Sequence, residues 1–283
     1  MIHATVLDPL NSPDLLEDVQ GRNDERNIAL QAAGVSHVEM PLQFLLASGC
    51  LQAINAQVSM SVSLLPEEKG THMSRFIEQV ADWSKTAHPI TLDLRPFLVE
   101  LRERLKAESA TAEIQFKLFL DKKAPVTENS APMGYDCTLS GVNNHGKVTL
   151  FAKVEVPMAT LCPCSKAISD FGAHNQRAIA ILDVALDEDQ LDALSLETLI
   201  KHAEESASCA VYPLLKRADE KWVTERQYSN AKFVEDVVRD LTLALRQQVG
   251  IRGFSIRVTA LESIHAHNAW ASHAENMPQK PSF

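Results

Sequence analysis

Apolar residues alternate with polar ones from Gln57 to Leu64, where Val58, Met60, Val62 and Leu64 share one side of an extended chain. That period of two predicts a half-buried strand. Phe76, Ile77, Val80 and Trp83 then recur at helical spacing, and a second helix is expected after Pro96, with Leu98, Leu101 and Leu105 on one face; proline is well tolerated at a helix start. Ile114, Phe116, Leu118 and Leu120 alternate again and read as a strand. Residues 1–36, rich in turn formers and charges, lack either period and read as a loosely structured arm.

The polar stretch from Lys122 to Pro132 breaks the pattern, and a linker is expected over 125–132, between a first module over 37–124 and a second over 133–283. Beyond it, Asn143-Asn144-His145-Gly146 is a hairpin-turn signal. Val148, Leu150, Ala152, Val154 and Val156 then alternate strictly up to Pro157. Gln176–Leu186 reads as a strand, and Ser195 opens a helix through Leu199, Ile200 and Ala203. Residues 209–229 read as irregular and charged. A long helix follows, carrying Phe233, Val234, Val237, Val238, Leu241 and Leu245, with Gly250 as its C-terminal cap. Phe254, Ile256, Val258 and Ala260 form a last strand. Each half runs strands, helices, strand, so the fold class is α+β with a duplicated module. Helices do not alternate one-for-one with strands, which weighs against a Rossmann sheet.

Composition narrows the function classes. The 283 residues are 45% hydrophobic and 23% charged, ordinary for a globular protein. A formal charge of −10 argues against a general nucleic-acid binder, though not against an anionic small molecule met by a local basic pocket. Lys166, Arg177, Lys216, Arg217, Lys221 and Arg226 are candidates for such a pocket. There is no apolar run long enough to span a membrane and no secretory leader pattern, so a cytoplasmic location is expected. Of five cysteines, Cys50, Cys137 and Cys209 read as inert, Cys50 and Cys209 as small core residues.

The other two have unusual company. Leu161-Cys162-Pro163-Cys164-Ser165-Lys166 sets two thiols one residue apart, and the His174 imidazole lies ten positions beyond the second. Thiol and imidazole suit a borderline-soft divalent metal, and so few ligands leave a position open for water. A redox Cys-x-x-Cys reading fails on spacing. Downstream acids available to such an ion are Glu204, Glu205, Asp219, Glu220, Glu225 and Glu235, and spacing alone does not choose among them. Glu204 and Glu205, at a helix end, are most simply solvated. Glu262-Ser263-Ile264-His265-Ala266-His267 follows the last strand. A carboxylate there suits the paired N–H edge of guanine.

At these residues the chain resembles the type IB GTP cyclohydrolase I family, the prokaryotic form of the first enzyme of the folate pathway. The matching words include Leu161-Cys162-Pro163-Cys164-Ser165-Lys166, Gly172-Ala173-His174-Asn175-Gln176-Arg177, Tyr212-Pro213-Leu214-Leu215-Lys216-Arg217, Asp219-Glu220-Lys221, Phe233-Val234-Glu235-Asp236, Glu262-Ser263-Ile264-His265 and an early Asp18-Val19-Gln20. The resemblance implies tandem tunnelling-fold modules, antiparallel sheets with helices on one face, that assemble into barrels as a homotetramer. It implies that Cys162, His174 and Glu220 hold a divalent zinc, manganese or iron, and that Cys164 is an essential second thiol. Glu262 would anchor the guanine edge of GTP, with Lys166, Arg177 and Lys216 as further substrate contacts and Glu235, His265 and His267 as further active-site groups. The implied reaction opens the imidazole ring of GTP to give 7,8-dihydroneopterin triphosphate and formate. Ala218, Ala266 and Asn268 depart from the family words. No Gly-x-x-x-x-Gly-Lys loop is present, which argues against an ordinary GTPase. A zinc deaminase is a poor rival: His37-Val38-Glu39 mimics half its signature without the cysteine half. Another enzyme on the same fold, or a non-catalytic metal-binding scaffold, remains an alternative.

Overall fold

The computed structural model describes residues 18–85 and 88–280. Long hairpins dominate it. Strands β1 (Leu30–Leu45) and β2 (Leu51–Leu64) precede helices α1 (Met73–Lys85) and α2 (Arg95–Arg104), and β3 (Ser109–Lys123) and β4 (Ser130–Asn144) follow. The same order then recurs with additions: β5 (Lys147–Leu161), the short α3 (Pro163–Ile168), β6 (Asn175–Leu186), α4 (Leu196–Ser206), the two-residue β7 (Cys209–Ala210), α5 (Arg217–Ser229), α6 (Val234–Gln247), β8 (Ile251–Ala260) and β9 (Ala269–Glu275). All pairings between these strands are antiparallel, in the order β1-β2-β3-β4-β5-β6-β8-β9, with β7 beside β5.

Burial follows the expected periods. Along β5, Leu150, Ala152, Val154, Val156 and Met158 are inaccessible to solvent, and on α6 the residues Val234, Val237, Val238, Leu241 and Leu245 share the buried stripe. These join one continuous core with Leu199 of α4 and Phe97 of α2. Ser195 caps α4 as expected, its hydroxyl accepting from the Thr198 N–H at 3.1 Å. The β4–β5 turn is closed by His145 and Gly146, both at positive φ (49° and 89°), as a tight hairpin between right-twisted strands requires. Among the described residues, no helix is long and apolar enough to cross a membrane.

Several expectations give way. Residues 125–132 lie in the hairpin joining β3 to β4 within the continuous sheet, and the joint between the two strand-strand-helix-helix-strand-strand halves falls instead at the turn between Asn144 and Lys147. Of the arm expected over 1–36, residues 1–17 lie outside the described residues, while β1 already begins at Leu30. The stretch 209–229 is largely helical, as α5. Gly250 sits at a positive φ of 91° in the turn into β8, three residues past the end of α6. Cys50 is exposed in the β1–β2 turn, whereas Cys137 and Cys209 are buried. Burial pushes the Cys137 thiol up to about 12, which keeps it protonated and inert.

Candidate active site

The site forms where β5 ends. Cys162 leaves the strand and caps α3, its Sγ accepting from the Ser165 N–H at 3.4 Å. Pro163 opens the helix, where a missing N–H leaves nothing unsatisfied. The chain returns through Gly172, at a φ of +72°, to His174. Two bonds close this loop: the Cys162 N–H donates to the His174 carbonyl at 3.1 Å, and the His174 N–H donates to Ser165 Oγ at 3.2 Å. Two residues twelve positions apart in sequence are thereby joined at the backbone.

Two further segments complete the walls. The start of α6 is tied to the end of β5, because the Lys232 N–H donates to the Leu161 carbonyl at 3.1 Å. The loop after β8 is tied to β6, because the Leu261 N–H donates to the Arg177 carbonyl at 2.8 Å. Between them lies a cavity of about 250 Å³ lined by Cys162, His174, Glu235, Glu262, His265 and His267, with Thr160, Gln176, Lys232 and Phe233 among the remaining lining residues. The His265 and His267 rings stack, centroids 5.2 Å apart and 14° from parallel. Lys232 Nζ is already engaged, donating to the Ser206 carbonyl at 2.8 Å and to Asp240 Oδ2 at 2.7 Å. Glu262 Oε2 is buried without a hydrogen-bond partner. Buried polar atoms are nearly always paired, so an orphaned carboxylate oxygen marks a place where a donor is meant to arrive.

The sequence-named residues divide accordingly. Cys162, His174, Glu235, Glu262, His265 and His267 meet in one cavity. Cys164, Lys166, Arg177, Lys216 and Glu220 are not among its lining residues. Cys164 is exposed on α3, Arg177 is exposed on β6, and Lys216 and Glu220 are exposed at the start of α5. Lys166 Nζ donates to the Tyr228 carbonyl at 2.5 Å and sits 4.4 Å from the Tyr228 ring centroid. Asp219, beside Glu220, is fully buried and clasps the β3–β4 turn: it accepts from the N–H groups of Val126, Thr127 and Lys216, each at 2.9 Å, and from the Thr127 hydroxyl at 2.7 Å. Glu204 is not a solvated charge either. It accepts from Lys122 Nζ and from the Tyr135 hydroxyl, tying α4 to β3 and β4.

The donor set fits a divalent ion at two positions. Cys162 and His174 line the same cavity, and a hydrogen bond occupies His174 Nδ1, so Nε2 is the ring nitrogen that could serve as a ligand. Among the described residues, no group of three or more His, Cys, Asp and Glu is gathered so as to hold a metal ion. Thr160, Gln176, Lys232 and Phe233 were not singled out from the sequence as site residues. Thr160 and Gln176 are register partners across β5 and β6, a pairing that neither strand shows by itself.

The profile of the family described as type I GTP cyclohydrolase folE2 matches residues 16–271. The chain belongs to this family. It is 43% identical over 256 residues to GTP cyclohydrolase FolE2 of Thermosipho africanus, covering 90% of this chain and 96% of that protein. It is 42% identical over 266 residues to the FolE2 of Burkholderia multivorans, covering 94% and 96%. A solved uricase from Bacillus fastidious superposes with a TM-score of 0.53 at 6% identity, over 87% of this chain and 93% of that one. That likeness shows the fold alone, the tunnelling fold.

Proposed function

We propose that this FolE2 family member is a GTP cyclohydrolase I that opens the guanine imidazole ring of GTP in the cavity between β5, α6 and the loop after β8. Formate and 7,8-dihydroneopterin triphosphate are the products, with one water consumed overall. The observation that carries the reading is the convergence of Cys162, His174 and the unpaired Glu262 carboxylate oxygen on one cavity. A hydrolase of an electron-rich ring needs an activated water and a grip on the base, and these groups supply the two requirements separately.

Cys162 and His174 are the residues suited to hold the divalent metal, zinc, manganese or iron. When bound, such an ion supplies a Lewis acid that makes water reactive near neutral pH. Glu262 accepts the paired N–H groups of the guanine edge, and its buried oxygen has no competing donor. A purine lacking the 2-amino group leaves that charge half paired, which is costly in a buried site. His265 and His267, stacked and exposed along the cavity lining, are placed to move protons between the reacting ring and solvent. Glu235, in the first turn of α6, is a second carboxylate available for proton transfer. Cys164 remains the candidate for a transient acid or base beside Cys162, and Glu220, exposed on α5, is given no step. We propose a cytoplasmic homotetramer as the protein's assembly.

Incubation with GTP and each divalent metal tests the reading. Formate release with an oxidisable, fluorescent pterin product supports it. Ammonia without formate points to a deaminase, and metal uptake with neither product points to a non-catalytic scaffold; either result overturns the proposal.

A further inference from the structure

His174 has two ring nitrogens, and a neutral imidazole carries its proton on one and a lone pair on the other. Nδ1 lies 3.0 Å from Gln176 Oε1. An amide oxygen has no proton to give, so this contact requires the proton on Nδ1 and leaves Nε2 bare. The Gln176 amide is itself engaged, its Nε2 donating to Thr160 Oγ1 at 3.0 Å. Thr160 is 1% exposed and faces Gln176 directly across the β5–β6 ladder. Turning the amide over would set its NH₂ against His174 Nδ1 and drive the ring proton onto Nε2. Ser263 Oγ also approaches Nδ1, at 3.5 Å, the limit of a hydrogen bond.

We infer that Gln176 is a positioning residue: held by Thr160 on one side, it fixes the tautomer and orientation in which His174 offers Nε2 as a ligand. This inference rests on the reading of His174 as a metal ligand. An imidazole free in water favours the opposite tautomer, with the proton on Nε2, so an unheld His174 would spend much of its time unable to bind through that atom. Groups that orient a ligating histidine typically change metal affinity about 10–100-fold when removed.

The test uses metal-free full-length protein with ¹⁵N-labelled histidine, His174 being assigned by the signals lost in His174→Gln. Long-range ¹⁵N–¹H correlation then reads which nitrogen carries the proton. The wild type should show Nδ1–H. Gln176→Leu should shift His174 towards Nε2–H, and Gln176→Glu, which keeps an acceptor, should restore Nδ1–H. Ser263→Ala should leave the wild-type pattern. Thr160→Val, which keeps the glutamine but frees its amide, should give a mixture and serves where the leucine variant does not fold. Zinc affinity, by competition with a chromophoric chelator, should fall about 10–100-fold in Gln176→Leu and stay near wild type in Gln176→Glu. A wild type carrying Nε2–H, an unchanged tautomer in folded Gln176→Leu, or a switch produced by Ser263→Ala alone overturns the inference. Wild-type Nδ1–H that shifts in Gln176→Leu, in a protein that takes up no metal, would overturn the metal assignment and with it the ligand role while leaving the tautomer control standing, so the two failures are distinguishable.

Discussion

The Cys162 N–H donates to the carbonyl of His174 at 3.1 Å, which makes the thiol and the imidazole two ends of one closed loop. The geometry of the pair is therefore set by the backbone between them, and Gly172 is the residue in that loop with a positive φ, +72°. A Cβ there meets no other atom within 4 Å, so the obstacle to a side chain is conformational, not steric crowding. Gly172→Ala should cost about 1–2 kcal/mol locally. Metal affinity and turnover should both fall several-fold while the melting temperature moves little, as calorimetry and metal titration would show. A variant with wild-type affinity would mean that the loop does not govern the pair.

Glu262 offers a direct test of base recognition, because Oε2 is buried with no partner. Glu262→Gln removes the charge that a guanine edge would satisfy. Charged hydrogen bonds contribute about 1.5–3 kcal/mol, so GTP should bind roughly 10- to 150-fold more weakly. The preference for GTP over inosine triphosphate, which lacks the 2-amino group, should shrink in the same variant. Equal losses for both nucleotides would place the contact elsewhere on the substrate.

Asp219 predicts an acid-sensitive clasp between α5 and the β3–β4 turn. Burial alone would raise its pKa, but the Thr127 hydroxyl and the N–H groups of Lys216, Thr127 and Val126 hold it well below the usual carboxylate range. A folded-state value below the unfolded one, near 3.9, means that the stabilisation is present above about pH 4 and is lost as pH falls through the folded value. The melting-temperature gap between wild type and Asp219→Asn should therefore be constant near neutrality and narrow below about pH 4. A gap that widens on acidification would reverse the assigned sign.

Lys122 and Glu204 form a pair whose side chains are only 11% and 18% exposed, and the Tyr135 hydroxyl donates to the same carboxylate at 2.8 Å. Burial lowers the pKa of Lys122 and Glu204 partly restores it. Removing one member strands the other, which costs about 3–5 kcal/mol for a buried pair. Glu204→Gln should approach that loss in urea unfolding, and Lys122→Met with Glu204→Gln should lose less than the sum of the single changes. Strict additivity would mean that the two side chains do not interact.

How much of this was legible in the sequence depended on whether a local period carried it. Val148 to Val156 could be read as a strand, and Val234 to Leu245 as a helix, because burial imposes a clean period on both. β1 escaped because its register shifts twice, between Leu30 and Ala33 and between Val35 and Val38, and few of its residues are buried. α5 escaped because its buried residues are Asp219 and Gln227, so no apolar stripe marks it. In the site, Cys162, His174 and Glu262 stood out by residue type. Gln176 and Thr160 act only through pairing across two strands, which no single segment reveals. Glu204 was misread as solvated, and Asp219 left undecided among the acids, for the same reason: their partners, Lys122, Tyr135, Val126 and Thr127, lie far away in the chain.

X-ray absorption at the metal edge of the zinc-loaded protein examines the proposed centre without relying on turnover. One sulfur scatterer at about 2.3 Å and imidazole nitrogen at about 2.0–2.1 Å are predicted. The sulfur shell should vanish in Cys162→Ser, and the imidazole multiple scattering should weaken in His174→Ala. A sulfur shell that persists in Cys162→Ser, or a spectrum unchanged in both variants, would contradict the placement of the metal at this pair.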